Sequence, residues 1–183
     1  VADNEHIMEK GAALRDFFAS VDANDLQAAG LALAQRFNLP LDGEIDWTEV
    51  EYDFNRLFVG PAAVPAPPYA SAYQVEPTLM GKPALEARKV YRRLGLAVPD
   101  QGQTPDDHLA FELDAAIALI GLDVSGDDDL AGTKAWFIAD HMGKWVPDFI
   151  AAIKAEQDVT PAVAVAADAL GRWLESAVSH DRH

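Results

Sequence analysis

Residues 104–122 read TPDDHLAFELDAAIALIGL, and no other stretch limits the fold as tightly. Leu109, Leu113, Ala116, Ile117 and Ile120 recur at the three-and-four spacing of one helical face, while Phe111, Ala115, Ala118 and Leu122 cover much of the remainder. A helix that is apolar nearly all round belongs in the middle of a bundle. Its beginning follows from side-chain chemistry: Thr104 offers a capping oxygen, Pro105 suits the first helical position, and Asp107 sits where a capping box wants a carboxylate. The first two turns also carry Asp106, Asp107, His108, Glu112 and Asp114, so this polar end is expected at the surface or in a cleft.

The rest of the chain repeats the helical period. Ile7, Gly11, Leu14, Phe17 and Phe18 set a first face, which the turn-favouring run from Asp22 to Asp25 interrupts. Asn24 with Gln27 resembles a capping box for a second helix bearing Leu26, Gly30, Leu33 and Phe37, and Thr48 with Glu51 resembles another for a third bearing Val50, Phe54, Leu57 and Phe58. Pro61, Pro65, Pro67 and Pro68 then exclude helix or a paired central strand, so residues 60–73 are expected to form a long ordered loop or stiff arm. Pro83 opens a fourth helix with Ala87, Val90, Tyr91 and Leu94 on one face, closed by Gly95; a loop through Pro99, Gly102 and Gln103 follows it. Asp127, Asp128 and Asp129 suit the positive end of a helix carrying Leu130, Trp136, Phe137, Ile138, His141 and Met142, which Pro147 is expected to end or kink. Beyond it Trp145, Val146, Phe149, Ile150 and Ile153 form one apolar face, and Thr160-Pro161 starts a last helix with Val163, Ala167, Leu170, Trp173, Leu174 and Val178 inward. No stretch alternates with period two. The expectation is an all-α, single-domain bundle of about seven to nine helices over residues 1–183.

Charge and composition narrow the function. Fourteen Lys and Arg against 30 Asp and Glu leave a formal net charge of −16, which repels nucleic acid phosphates and anionic membranes and attracts cationic partners. The absence of cysteine removes disulfides, thiol chemistry and Cys-type zinc sites. No apolar run nears the roughly twenty residues of a membrane span, and VADNEHIMEK at the amino terminus lacks the pattern of an export signal. A soluble protein that is not evidently exported, compatible with the cytoplasm and without nucleic acid partner or stable membrane insertion, is expected.

Gly-rich phosphate loops, nucleophile elbows, zinc-type His pairs and dinucleotide fingerprints are all missing. Asp107, His108 and Glu112 have two readings: a helix start whose carboxylates offset the dipole, or a polar site for recognition or acid–base work, since His108 and Glu112 are four apart. His141 reads as a hydrogen-bonded core histidine, His180 and His183 as tail residues, and the acidic triplet at 127–129 lacks the later carboxylate of a calcium loop. Tyr69 and Tyr73 either pin the proline-rich loop or line a preformed groove for a peptide.

In combination these pieces match a known pattern. Tyr52-Asp53-Phe54-Asn55-Arg56-Leu57-Phe58-Val59-Gly60-Pro61 followed by Pro65-Ala66-Pro67-Pro68-Tyr69-Ala70-Ser71-Ala72-Tyr73 resembles the first signature of the TorD/DmsD redox-enzyme maturation chaperones. Pro105-Asp106-Asp107-His108-Leu109 with Glu112-Leu113 resembles the second, and Leu79-Met80-Gly81, Val90-Tyr91-Arg92-Arg93-Leu94-Gly95-Leu96, Phe137-Ile138-Ala139-Asp140-His141-Met142 and Trp145-Val146-Pro147-Asp148-Phe149 fall in the family's order. Many members have Trp-Gly-Ser where this chain has Tyr69-Ala70-Ser71. The resemblance implies a cytoplasmic, non-enzymatic, all-helical chaperone without cofactor or metal, acting as a monomer or a domain-swapped dimer. It would bind the twin-arginine signal peptide and the catalytic subunit of a molybdenum-cofactor oxidoreductase, assist cofactor insertion and hold back export. The implied peptide-binding residues are Tyr69, Ser71, Tyr73, Asp107, His108 and Glu112. Two alternatives stay open at this point: a maturation factor for a signal-less molybdoenzyme subunit, and a hydrolase or lyase using Asp107, His108 and Glu112.

Overall fold

A computed structural model of the chain describes residues 2–41, 43–61, 63–78, 80–98, 104–122 and 126–180. The helices are α1 (Ala2–Phe18), α2 (Ala23–Phe37), α3 (Trp47–Phe54), α4 (Lys82–Leu94), α5 (Leu109–Gly121), α6 (Asp128–Ala135), α7 (Gly143–Ala155) and α8 (Pro161–His180). A π-helical segment, Asn55–Val59, prolongs α3; another, Trp136–Met142, joins α6 to α7 in one rod; and a 3₁₀ turn spans Ala70–Tyr73. The described residues form seven α-helical rods, within the expected range, and no strand beyond an isolated antiparallel bridge between Tyr69 and His108.

The apolar stripes read from the sequence meet in one buried cluster. Helix α1 lies between α5, α2 and α8, and α8 also packs on α7. Leu109, Leu113, Ala115, Ala116, Leu119 and Ile120 of α5 are buried, as expected of a central helix. Gly11 lets three helices converge: a Cβ there would lie 2.9 Å from Ile117 Cγ1 and 3.0 Å from Trp173 Nε1. The Trp173 indole N–H donates to the Ile7 carbonyl at 3.0 Å, so the same close approach satisfies a buried polar group.

Four local expectations are corrected. The N-cap of α2 is Asp22, whose carboxylate accepts from the Asn24 and Asp25 N–H groups at 2.9 Å, rather than Asn24. That of α3 is Asp46, accepting from Thr48 and Glu49, while Glu51 reaches across to the Ala23 N–H at 2.9 Å. Aspartate is as good a cap as asparagine or threonine, so the earlier acid wins and frees Glu51 for a tertiary bond. Helix α5 begins at Leu109 and not near Thr104, because Asp106 and Asp107 bond to other elements; His108 is the cap, its Nδ1 accepting from the Ala110 N–H at 3.1 Å. Of the two outcomes expected at Pro147, to end or to kink the helix, the first does not occur: Pro147 lies inside α7, on its exposed face. The expected boundaries at Gly60, Gly95 and Thr160-Pro161 match the ends of the α3 rod, α4 and the interval before α8. Pro99, Gly102, Gln103, Leu79 and His183 fall outside the described residues.

Candidate functional site

The arm leaves the α3 rod at Gly60, whose φ of 98° is a backbone setting that favours glycine. It is anchored early, the Ala66 N–H donating to the Leu57 carbonyl at 3.1 Å with Ala66 buried beneath. The arm then runs against the turn before α5. The Leu109 N–H donates to the Pro68 carbonyl at 2.9 Å, the Ala70 N–H to the Asp107 carbonyl at 3.1 Å, and the Ser71 N–H to Asp107 Oδ2 at 2.6 Å. Asp106 extends the weld to α4: Arg88 pairs with its carboxylate, and the Tyr91 hydroxyl donates to its carbonyl at 2.6 Å. Proline-rich backbone thus finds partners in a turn rather than in a helix or sheet.

Tyr69 and His108, 39 positions apart (108 − 69), meet edge to face with ring centroids 5.3 Å apart, and His108 also lies 5.6 Å from the Phe111 ring. Burial lowers the His108 pKa from 6.5 to about 4, which keeps Nδ1 neutral and able to accept the capping N–H. Burial, and secondarily the Asp107 charge, raises that of Tyr69. Both side chains line an apolar groove of about 320 Å³ with Phe18, Phe54, Phe58 and Phe111. Val21, 80% exposed, and Val59, 64% exposed, stand among its walls.

Ser71, Tyr73, Asp107 and Glu112 lie on the other side of that wall. Asp107 and Glu112 are 0% exposed, Ser71 is buried, and Tyr73 stacks on the Trp145 ring at 5.8 Å. Glu112 Oε1 is 2.6 Å from His141 Nε2, and its Oε2 accepts from the Trp145 indole at 2.9 Å. Burial raises the Glu112 pKa against the pull of its partners. For His141, burial works downward, but the charge and hydrogen bond of Glu112 prevail and hold the pKa above its usual value. The π-helical segment aims His141 at Glu112, with the imidazole stacked 5.2 Å from Phe137.

Of the six residues expected to bind peptide, the structure therefore places Tyr69 and His108 on the groove, buries Ser71, Asp107 and Glu112 away from its lining, and half-buries Tyr73 against Trp145. Ser71 Oγ, Tyr73 OH and Asp107 Oδ1 are buried without a hydrogen-bond partner. Asp107, His108 and Glu112 diverge toward Ser71, Tyr69 and His141 respectively, so they form no acid–base pair. Sequence reasoning missed the groove walls Phe18, Val21 and Val59, of which only Val59 lies in a motif, and Trp145 as a partner of Glu112. The four-residue spacing of His141 and Trp145 was the one available signal for the latter. Among the described residues no three His, Cys, Asp or Glu side chains converge as metal ligands, and no helix is long and apolar enough to cross a membrane.

The family model described as nitrate reductase delta subunit matches residues 21–151. Chaperone protein TorD of Vibrio cholerae is 31% identical over 144 residues, covering 75% of this chain and 66% of that relative; TorD of Photobacterium profundum is 33% identical over 116 residues, covering 60% and 54%. The chain thus spans about two thirds of the first relative and about half of the second. A crystal structure from Archaeoglobus fulgidus, described as a candidate redox enzyme maturation protein, superposes with a TM-score of 0.61 at 22% identity over 94% of this chain and 93% of that one. The shared fold, the two signatures meeting at one groove and the extent of the match lead to one assignment: the chain belongs to the nitrate reductase delta subunit family, in which its curated relatives are TorD chaperones.

Proposed function

We propose that this chain is a TorD-type chaperone that binds the twin-arginine signal peptide of a molybdenum-cofactor oxidoreductase, assists cofactor insertion and holds back export until insertion is complete. It works in the cytoplasm, as a monomer or a segment-swapped dimer. The observation that carries the reading is the apolar groove edged by Tyr69 and His108 in a chain of net charge −16. A twin-arginine peptide offers two cations followed by an apolar segment, which is complementary in type. Exposed ion pairs contribute about 0.2–1 kcal/mol each, whereas burying three or four Leu-sized side chains contributes roughly 1.5–3 kcal/mol apiece before ordering costs. Charge steers and sets register, and apolar burial supplies most of the affinity. Tyr69 and His108 touch the peptide; Ser71, Tyr73, Asp107 and Glu112 hold the arm and α5 in place.

Calorimetric titration with the signal peptide, at low and high salt, tests this with Tyr69→Ala and Asp107→Asn. Tyr69→Ala is expected to weaken binding about tenfold or more at both salts, and unchanged affinity in both variants rules the site out. The family model's description as a nitrate reductase subunit favours a second reading, in which the client is a catalytic subunit without a signal. Pull-downs against signal peptide and mature subunit separately distinguish them.

A further inference from the structure

The carboxylates singled out by sequence leave open where a bound peptide's cations go. Asp107 and Glu112 are sealed, with Ser71 on one and His141 and Trp145 on the other. An arginine reaching Asp107 would have to displace the arm, and one reaching Glu112 would have to displace His141 or Trp145. Asp22 is occupied in capping α2, and Glu51 holds the Ala23 N–H. The groove has another way out. Its wall at Ala19 and Ser20 is shared with a second cavity of about 420 Å³ at the α1–α2 corner, lined by Asp16 and Asp25 over a floor of small residues, Ala28, Ala29 and Ala32.

We propose that this corner receives the basic end of the bound peptide, with Asp16 and Asp25 as the residues that read its arginines while the apolar segment lies in the adjoining groove. The inference rests on the peptide-binding reading above and adds to it the orientation of the peptide and the source of charge specificity. The alanine floor gives an arginine's methylene stem an apolar surface, and the carboxylates meet the guanidinium fork at the rim. Asp16, 56% exposed at its side chain, already holds one guanidinium, that of Arg15 at 2.8 Å, so its position suits such a partner. Asp25 accepts only backbone N–H from Val21, at 3.3 Å, and has no cation at ion-pair distance among the described residues. Asp114, which Arg15 also binds at 2.7 Å, is the less suitable alternative because it lines a separate cavity with Tyr91 and Val98 that meets the groove only at Phe111. Two exposed pairs on one occupant amount to a preference of about two- to thirtyfold for the doubly basic peptide.

The test is a cycle of two peptides and four chains. One peptide carries the paired arginines before an apolar segment, and the other has glutamine at both places. The chains are the wild type, Asp16→Asn with Asp25→Asn, the charge-matched control Asp128→Asn with Glu175→Gln, and Tyr69→Ala, each first shown to keep its helical circular dichroism. Asn at position 25 retains an acceptor for the Val21 N–H, and the control positions are exposed and line neither cavity. The wild type and control are expected to prefer the arginine peptide two- to thirtyfold at low salt, with the preference shrinking as salt is added. The Asp16/Asp25 variant is expected to bind both peptides alike. Tyr69→Ala is expected to weaken both while keeping their ratio. A preference that persists undiminished in the Asp16/Asp25 variant overturns the inference and leaves the groove reading standing; a wild type that binds neither peptide overturns both.

Discussion

Truncating Glu112 tests whether the buried acid of the second signature is structural. Its carboxylate has no solvent contact and two donors, His141 at 2.6 Å and Trp145 at 2.9 Å. Glu112→Ala strands both and opens a small void, and breaking a buried pair in this way costs about 3–5 kcal/mol. For a chain of this size that corresponds to a fall of roughly 6–20 °C in Tm, at about 2–4 °C per kcal/mol. Glu112→Gln keeps the shape and an acceptor for the indole, and its amide can donate to a neutral His141, so its cost is expected nearer 1 kcal/mol. The pH dependence has a fixed sign. The His141 pKa is raised in the folded state, so its contribution is fully present below its unfolded value of about 6.5 and is lost as pH rises through the folded value. Glu112, also raised, acts in the same direction at lower pH. Urea unfolding followed by far-ultraviolet circular dichroism, from about pH 4 to about pH 9, measures both effects. The wild-type advantage over Glu112→Gln should shrink as pH rises; a Glu112→Ala variant within about 1 kcal/mol of wild type at pH 6 would refute the structural role.

His108 has the opposite sign: its pKa is depressed to about 4, so the stability it contributes is present above about pH 6.5 and lost as pH falls through about 4. His108→Asn keeps a capping acceptor without a titrating group, and should therefore gain on wild type as pH drops from about 7 to 5; a proton-resonance titration placing the His108 pKa near 6.5 would remove the reason for it. Gly11→Ala should lose about 1–3 kcal/mol in chemical denaturation, because its methyl would stand 2.9 Å from Ile117 Cγ1 and 3.0 Å from Trp173 Nε1 with the helix backbones unable to part cheaply; a neutral variant would mean that α1 can slide on α5.

Helical rods were legible in the sequence because each buries a stripe whose period is written locally, and where glycine or proline punctuates the stripe the boundary was legible too, as at Gly60, Gly95 and Thr160-Pro161. The misplaced starts share one cause. Asn24-Gln27 and Thr48-Glu51 satisfy a local capping rule, but Glu51 is needed 28 positions away at Ala23, and aspartates two places earlier take over the caps. Likewise Thr104-Pro105 suits a helix start, yet Asp106 and Asp107 stop that turn from becoming helical by bonding Arg88 and Ser71. Local rules do not know which carboxylates tertiary structure will claim. The groove was illegible for a related reason: Phe18, Val21 and Val59 end or follow rods that read as core, and only the folded chain brings these ends together as walls.

In the proposed peptide complex, the sealed acids of the second signature would contribute otherwise than surface acids do. A carboxylate on the surface would attract an arginine directly, at about 0.2–1 kcal/mol. A carboxylate within the wall acts instead on entropy: Asp107 fixes the Ser71 N–H, the Asp107 carbonyl fixes Ala70, and Pro68 is tied to Leu109, so Tyr69 and His108 already stand in register before any partner arrives. Each rotamer-rich side chain that need not be ordered on association saves about 0.5–1.5 kcal/mol, so a prearranged pair matches one or two exposed ion pairs in worth. Proline at 61, 65, 67 and 68 adds to this by narrowing the arm's unbound ensemble. Substituting Asp107 should then alter binding through the arm's order and not through the peptide's charge, and its effect should be nearly the same whether the peptide carries arginine or glutamine.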